Sequence, residues 1–282
     1  MENQKILVLG GNGKTGRRVT KLLKEISKTE VYIGSRNGIP PFHWENPETW
    51  PEVMEGIDTV YITFQPDLAI PSAPETIQKF TTLATQNGVQ KIVLLSGRGE
   101  KEAQVCEEIV KSTAKNWTIV RASWFSQNFS ESIFLEPVLA GYVAIARAET
   151  PEPFTDADDI AAVVTEALLN EKHNGKTYEL TGPRLLSFEQ AVAEIARVTG
   201  REIQFHPLSV DEYISMLREY QVPEDELWLV NYLFTEVLDG RNSSITSDIE
   251  KVLGRKAKDF TDYVKETAQT GIWNSPASTQ TP

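Results

Sequence analysis

The sequence predicts an α/β fold in which a doubly wound parallel sheet is followed by a small, mostly helical C-terminal region. Short apolar runs alternate strictly with stretches of helical periodicity over the first half of the chain, as in parallel sheets covered by helices on both faces. A glycine-rich turn follows the first apolar run, and the later part of the chain carries mainly helix signals. Together these observations predict a Rossmann-like architecture.

The first predicted strand, KILVLG at 5–10, ends in the glycine-rich turn. An apolar stripe at helical spacing starts at Val19, so the predicted order is strand, tight turn, helix. Gly10 allows a sharp exit from the strand, Gly13 lets a pyrophosphate approach the backbone, and Gly16 lets the helix pack closely on the strand. The turn is a candidate phosphate site, although glycine-rich turns also serve plain packing.

The next elements follow the same alternation. Strands are predicted at 30–35, 58–64, 91–97 and 117–122, with helices at 73–88 and 102–113. One more helix at 156–171 and one more strand at 178–182 are expected to return to the sheet. In such a sheet the ligand lies beyond the carboxyl ends of the strands.

The C-terminal part is predicted to be mainly helical. Ser187 with Gln190 and Ser209 with Glu212 are capping boxes that start two helices, and the short strand candidate EIQFHP separates them. The expected division is a dinucleotide-binding core at 1–182, a substrate region at 183–272 and a disordered tail at 273–282, the tail because it is small, polar and proline-containing.

Composition excludes several functions. The formal charge of −12 argues against binding nucleic acid, which normally requires a basic face. Cys106 stands alone and falls on the apolar side of a helical stretch, so we expect a core thiol in a reducing compartment. The sequence has no long apolar run and no leader-like start, so we expect a cytoplasmic protein without membrane contact. The oligomeric state stays open.

Metal and serine-hydrolase chemistry have little support in the sequence. It contains no HExxH or paired CxxC motif, its three histidines are far apart, and GxSxG is absent, so no metal ligand is expected. Arg36 follows the second strand about 20 residues after Gly16, where an acidic residue would bind the ribose of NAD. Arg36, with Lys14 and Arg17, favours NADPH, unless Arg36 is only a solvated residue at a strand end.

The order of the motifs resembles the NmrA-like group of atypical short-chain dehydrogenases/reductases. More narrowly, it resembles a bacterial branch similar to agroclavine and festuclavine dehydrogenases, over about residues 5–270. The motifs that carry the resemblance are the glycine turn, FHWENPETWPEVMEGIDTVYITF, KIVLLSGRGEKEAQVCEEIVKS, WTIVRASWFSQNF, EPFTDADDIAAV and YELTGPRLLSFEQAVAEIARVTGR.

The resemblance implies a core that binds NADP(H), a small C-terminal substrate region, and a cleft between them that takes a small molecule. It implies a pyrophosphate loop, an adenosine end, a ribose and nicotinamide segment, and a wall beside the nicotinamide that also meets substrate. The implied pyrophosphate loop consists of Gly10, Asn12, Gly13, Lys14, Thr15 and Gly16, and the adenosine end consists of Ser35 and Arg36. The implied ribose and nicotinamide segment consists of Thr63, Phe64, Gln65, Ser96 and Gly97. The implied wall beside the nicotinamide and substrate consists of Ser123, Trp124, Phe125 and Asn128.

One departure from the ordinary short-chain dehydrogenases bears on mechanism. Those enzymes use a Tyr and a Lys four residues apart, but SGRGEKEAQVCEEI at 96–109 has no Tyr, and Lys101 lies off the expected spacing. Ser96 is the remaining catalytic candidate, although it could serve only the ribose or the turn. Three hypotheses follow: a reductase whose cyclic imine, iminium or quinone acceptor needs no such relay, an NADP(H)-sensing regulator without turnover, or an interaction protein with a vestigial fold.

Overall fold

A computed structural model describes residues 3–274 and divides the chain into two compact units. Unit 1 consists of the chain up to Ala122 together with Ala157–Leu180 and Thr246–Lys256. Unit 2 consists of Ser123–Asp156, Thr181–Ile245 and the chain from Ala257 onward. The division therefore differs from the continuous boundary expected at 182, because the chain leaves unit 1 after its fifth strand and later returns to it.

Unit 1 is built on a six-stranded sheet in which every neighbouring pair is parallel, in the order β2-β1-β3-β4-β5-β7. This confirms the predicted fold class. The strands, numbered along the whole chain, are β1 (Gln4–Leu9), β2 (Thr29–Gly34), β3 (Thr59–Ile62), β4 (Lys91–Gly97), β5 (Asn116–Ala122) and β7 (Lys176–Leu180). The helices of this unit are α1 (Lys14–Lys24), α2 (Trp50–Val53), α3 (Ala73–Gln86), α4 (Lys101–Thr113), α7 (Ala157–Leu169) and α11 (Asp248–Leu253).

The strand order indicates where a ligand would bind. The chain moves from β1 outward to β2 and then crosses to β3 on the other side of β1. The connections thus change direction between β1 and β3, and the carboxyl ends of strands at such a point form a natural ligand crevice. Strand β3 is buried along its whole length, as expected for a central strand covered on both faces.

Unit 2 is mainly helical around a small parallel sheet. The sheet pairs β6 (Tyr142–Ala146) with β8 (Gln204–Leu208), and the sequence predicted only the second of these strands. Both predicted capping boxes are present, at Ser187 and Ser209. The helices are α5 (Asn128–Glu131), α6 (Leu135–Ala140), α8 (Phe188–Thr199), α9 (Val210–Glu219), α10 (Glu224–Tyr232) and α12 (Phe260–Gln269), and Leu233–Val237 forms a π-helical turn.

The expected tail at 273–282 lies outside the described residues except for Trp273 and Asn274. Trp273 is buried, and its indole Nε1 donates a hydrogen bond to the Phe129 carbonyl at 2.8 Å. The packed part of unit 2 therefore includes Trp273. Within residues 3–274, no helix combines the length and the apolar character needed to cross a bilayer.

A buried ion pair joins α4 to the sheet. The Glu107 carboxylate on α4 is inaccessible to solvent and receives a bidentate pair of hydrogen bonds from Arg121 on β5, at 2.7 and 2.8 Å. Ser96 on β4 donates a third hydrogen bond to it at 2.8 Å. Arg121 also pairs with Glu179 on β7, with 3.1 Å between its Nη1 and Oε1 of Glu179. Arg98 pairs with the other oxygen of Glu179, with 3.1 Å between Nε and Oε2. These bonds raise the pKa of Arg121, with the bonds to Glu107 as the largest cause.

We expect Glu107→Ala to lower the free energy of unfolding by about 3 kcal/mol, near the low end for breaking a buried pair because Arg121 keeps Glu179 as a partner. The neighbouring Glu108 is a matched control, since its carboxylate is exposed and pairs only with Lys111 at 2.8 Å. Glu108→Ala should change stability by less than about 0.5 kcal/mol. Urea unfolding measures both; equal stabilities for the two variants would contradict the structural role of Glu107.

Candidate functional site

The glycine turn after β1 has the geometry that its sequence predicts. Gly10 has φ +64°, a left-handed conformation that glycine adopts without strain. A Cβ on Gly16 would lie 2.2 Å from the Gly10 carbonyl oxygen and 2.8 Å from the Gly11 Cα. Both obstacles are backbone atoms, so only glycine at position 16 allows α1 to start this close to the turn.

Gly13 is placed differently. Its φ is −76°, and an added Cβ would lie 3.1 Å from the Gly10 carbonyl oxygen, with no other atom of the described residues within 4 Å apart from its chain neighbours. Gly13 is also the N-cap of α1, and neither a capping side chain nor an acidic residue lies at the first turn. The positive end of the α1 dipole therefore has no acidic side chain in its first turn, which fits a bound phosphate.

The other residues of the turn divide between surface and core. Asn12 is exposed and Lys14 is half-buried. Thr15 is buried, and its hydroxyl accepts a 3.0 Å hydrogen bond from the Tyr61 hydroxyl on β3. Burial raises the pKa of Tyr61, so its phenol stays protonated and is a donor to Thr15. The Thr15 side chain therefore anchors α1 to the sheet, and its backbone N–H belongs to the first turn.

Ser35 and Arg36 lie where β2 ends. The Ser35 carbonyl accepts hydrogen bonds from the Gly38 and Phe42 N–H groups, both at 3.0 Å, and this fixes the loop that follows the strand. The Arg36 side chain is exposed and has no ion pair or hydrogen bond to any residue in 3–274. Its guanidinium is therefore available to an anion at the strand end, the place predicted for a 2′-phosphate.

The segment after β3 lies beside the glycine turn. Thr63 donates a hydrogen bond to the Leu9 carbonyl at 3.0 Å, and its hydroxyl lies where a Cβ on Gly10 would be. Phe64 packs against Trp44 with ring centroids 4.9 Å apart, whereas Gln65 is exposed. The structure thus brings the segments after β1 and β3 together at the carboxyl edge of the sheet, as predicted.

The end of β4 carries Ser96 and Gly97. Ser96 is 5% exposed, and its hydroxyl proton is used in the bond to Glu107. The hydroxyl thus binds a side chain of α4, and both the catalytic role of Ser96 and its role toward the ribose or the turn stay predictions. Gly97 is covered by the carboxyl group of Glu100, whose Oε1 would lie 1.8 Å from a Cβ at this position.

The residues expected beside the nicotinamide and substrate lie in unit 2. Ser123 is buried, and its Oγ has no hydrogen-bond partner among the described residues. Phe125 and Asn128 are half-buried. The Trp124 ring packs against Phe188 and Phe234 with centroids 5.4 and 5.5 Å apart. Trp124 is half-buried and packs against the core of unit 2, and the roles of this segment toward a ligand stay predictions.

Cys106 is a core thiol, as predicted. It is fully buried, and its Sγ donates a weak hydrogen bond to the Leu68 carbonyl at 3.8 Å. Burial is the main cause that raises the pKa of this thiol to about 12, so it stays protonated at neutral pH. Among residues 3–274, no three His, Cys, Asp or Glu side chains are grouped in a way that could hold a metal ion.

Comparison with known proteins identifies the relatives of the chain. It is 28% identical to agroclavine dehydrogenase of Claviceps fusiformis over 293 residues, which cover 95% of this chain and 98% of the relative. The chain is a homologue of that dehydrogenase. The resemblance to agroclavine and festuclavine dehydrogenases is thereby confirmed, while the bacterial branch stays a prediction. No protein-family model matches the chain.

Two further comparisons extend this result. Prestalk A differentiation protein A of Dictyostelium discoideum is 25% identical over 278 residues, which cover 93% of this chain and 92% of that protein. The NADPH-dependent quinone oxidoreductase of Escherichia coli, solved in complex with NADPH, superposes with a TM-score of 0.78. That match covers 93% of this chain and 99% of the other at 16% identity, and it confirms the fold alone.

Sequence reasoning missed two carboxylic residues, Glu100 and Asp67, next to the predicted site. Glu100 is 8% exposed, and Asp67 is the neighbouring carboxyl group that acts on it most strongly. Burial first, and then the carboxylates of Asp67, Glu102 and Glu107, raise the pKa of Glu100 well above its usual range. Burial also raises the pKa of Asp67, against the lowering effect of the Ala69 N–H, which donates to it at 2.8 Å.

The contrast between two glycines of the turn can be tested. We expect Gly16→Ala to lower the free energy of unfolding by about 1–3 kcal/mol, because backbone would have to move away from the added methyl group. Gly13→Ala should cost less, about 1 kcal/mol, since its methyl group would meet only the Gly10 carbonyl oxygen, at 3.1 Å, and the N-cap preference is lost. Urea unfolding distinguishes them, and a Gly13 variant as unstable as the Gly16 variant would contradict an open cradle.

Proposed function

We propose that the chain is an NADPH-dependent reductase that transfers hydride to a small cyclic acceptor, such as an imine, an iminium ion or a quinone. The observation that carries the proposal is the start of α1 at Gly13, which has no side-chain cap, together with the exposed Arg36 after the neighbouring strand β2. A homologue named as a dehydrogenase and a protein of the same fold that binds NADPH support it.

The residues of unit 1 suggest how the cofactor would be held. The first-turn amides of α1 would bind the pyrophosphate, with Gly13 leaving space for it. Arg36 would pair with the 2′-phosphate that distinguishes NADPH from NADH. Thr63, Phe64, Gln65 and Gly97, at the ends of β3 and β4, would lie along the ribose and nicotinamide. When bound, NADPH supplies the hydride.

The acceptor class follows from the missing tyrosine. Helix α4 contains no Tyr, so the usual proton relay of short-chain dehydrogenases is absent from it. Hydride addition to an iminium carbon neutralises a cation and needs no proton. A quinone gives a stabilised oxyanion, which can take its proton from an acid other than a tyrosine. Both acceptors therefore suit this helix better than a simple ketone does.

A regulator that binds NADP(H) without turnover is the second candidate. The packing of Trp124 against Phe188 and Phe234 favours it, because one face of an aromatic side chain expected to meet substrate is used in contacts within unit 2. One relative is named for differentiation rather than for a reaction. Such a protein would use the same turn and pass its redox state to a partner.

Turnover separates the two candidates. We expect the purified chain to oxidise NADPH with at least one member of a panel of quinones, cyclic imines and iminium ions, and enones, followed by loss of NADPH absorbance. Gly13→Val should abolish both binding and oxidation, because its side-chain branches fill the pyrophosphate space, while urea unfolding shows an intact fold. Micromolar NADPH binding with no oxidation by any acceptor would exclude the reductase and favour the regulator.

The cofactor preference depends on Arg36. A charge-assisted hydrogen bond is worth about 1.5–3 kcal/mol, so we expect NADPH to bind roughly 10- to 100-fold more tightly than NADH. Arg36→Ala should remove most of this preference by weakening NADPH and leaving NADH nearly unchanged. Fluorescence titration with both cofactors measures it. Arg241→Ala is a matched control, since Arg241 pairs with Asp239 at 2.7 Å in unit 2; equal affinities of the wild-type protein for both cofactors would contradict the assignment.

A further inference from the structure

Glu100 occupies an unusual position at the start of α4. It is the N-cap residue, yet its side chain makes no capping hydrogen bond. The side chain instead folds back over Gly97, so that a Cβ there would lie 1.8 Å from Oε1 and 2.4 Å from Oε2 of Glu100. Gly97 ends β4 and is one of the residues expected along the nicotinamide. The Glu100 carboxyl group therefore lies at the carboxyl edge of the sheet, where the ligand of such a fold binds.

The surroundings of Glu100 require a proton. The group is 8% exposed, and its Oε2 is buried without a hydrogen bond from any donor in the described residues. The carboxyl group that acts on it most strongly is that of Asp67. A buried carboxylate that receives no donor and has a second carboxyl group nearby is unfavourable as an anion, so the site favours one proton on the pair.

The partner of Glu100 is held in place by its own loop. Asp67 directly follows residues 63–66 and accepts the Ala69 N–H at 2.8 Å through Oδ1. Leu68 and Ala69 are buried, and the Leu68 carbonyl meets Cys106 on α4. The hydrogen bond from the Ala69 N–H stabilises the ionised form of Asp67. Of the two carboxyl groups, Asp67 is therefore the one that ionises more readily, and Glu100 is the one that keeps the proton.

We propose that Glu100, positioned by Asp67, is the acid that protonates the reduced acceptor in place of the absent tyrosine, a role that rests on the proposed reductase function. In the reduction of a quinone, NADPH would transfer a hydride with its electron pair to the acceptor and become NADP⁺. One oxygen of the acceptor would then carry a negative charge. The Glu100 O–H bond breaks as the new O–H bond to that oxygen forms. Glu100 is left as a carboxylate beside Asp67, and the pair recovers one proton from water.

Charge explains why the proton would leave and return. The charged groups that act on Glu100 are the carboxylates of Asp67, Glu102 and Glu107, and burial acts in the same direction as all three. Together they raise the pKa of Glu100 well above its usual range, which favours the acid form. The same groups make the ionised pair unfavourable, and this favours reprotonation once the product has formed.

The resting protein offers a test that does not depend on turnover. At pH 7, the infrared difference spectrum between wild type and Glu100→Gln should contain the C=O stretch of a protonated carboxyl group. Glu108→Gln, which removes an exposed carboxylate of the same helix, should give no such band. A wild-type protein without the carboxylic acid band would overturn the proposal.

Kinetics tests the step itself. In single turnovers with NADPH and menadione, we expect Glu100→Gln to slow NADPH oxidation about 10²-fold, with unchanged NADPH affinity and Glu108→Gln at the wild-type rate. The wild-type rate should fall as pH rises through the apparent pKa of the pair, since the acid form is required. Asp67→Asn removes a neighbouring negative charge and should move that fall to lower pH, which a merely structural role would not do.

The outcomes are distinguishable. A wild-type protein that reduces menadione at a rate unchanged by Glu100→Gln would overturn the proton donor and leave the reductase standing. A wild-type protein that binds NADPH and reduces no acceptor would overturn both. If Glu100→Gln does not fold, the pH dependence of NADPH oxidation by Asp67→Asn tests the proposal instead. A pH dependence identical to that of the wild type would overturn the proposal.

Discussion

The buried carboxylate of Glu107 fixes the part of unit 1 on which the candidate site depends. It accepts hydrogen bonds from Ser96 on β4 and Arg121 on β5, so one side chain of α4 is tied to two adjacent strands. Arg121 extends the network to Glu179, whose backbone N–H donates to Asp248 of α11 at 2.9 Å. A charge this deeply buried is stable only with its partners in place, so the network specifies one position for α4 along the sheet. The position of Glu100, at the first residue before α4, follows from it.

A second constraint acts at the other side of the site, where backbone meets backbone. Gly16 brings the start of α1 against the Gly10 carbonyl, and Thr63 fills the space beside Gly10. The turn is thereby closely packed at Gly10 and Gly16. At Gly13, an added Cβ would have one atom of the described residues within 4 Å, the Gly10 carbonyl oxygen, apart from its chain neighbours. Binding a phosphate at such a turn requires little ordering of the protein, which lowers the entropic cost of association. Both constraints lie in unit 1, which holds the candidate pyrophosphate turn and Glu100.

Much of this arrangement could be predicted from the sequence. Hydrophobic periodicity predicted the order of strands and helices in unit 1, and the spacing of Gly10, Gly13 and Gly16 predicted a turn whose glycines have separate roles. The capping boxes at Ser187 and Ser209 were predicted because their signal is local, four residues long and chemically specific. In each of these cases, the residues that determine the structure are close together in the chain.

Features that depend on distant residues were not predicted. Strand β6 needs β8 as its partner, and nothing in its own short segment indicates that pairing. The pairing of Glu100 with Asp67 joins two loops, and each residue alone reads as an ordinary loop carboxylate. Glu107 did give a signal, since it shares one helical face with Ala103, Cys106 and Val110, all buried. A charged residue on an apolar face predicts a buried partner, and Arg121 inside a strand was the matching sign.

The interrupted course of the chain through unit 1 has a consequence for biosynthesis. Strand β5 receives its outer neighbour β7 only after residues 123–175 have been made, because β7 begins at Lys176. A ribosome adds about 5–20 residues per second, so the outer edge of β5 stays unpaired for roughly 3–10 seconds during synthesis. An open strand edge can pair with another chain, and this interval is therefore when nascent copies are most exposed to aggregation and most in need of a chaperone.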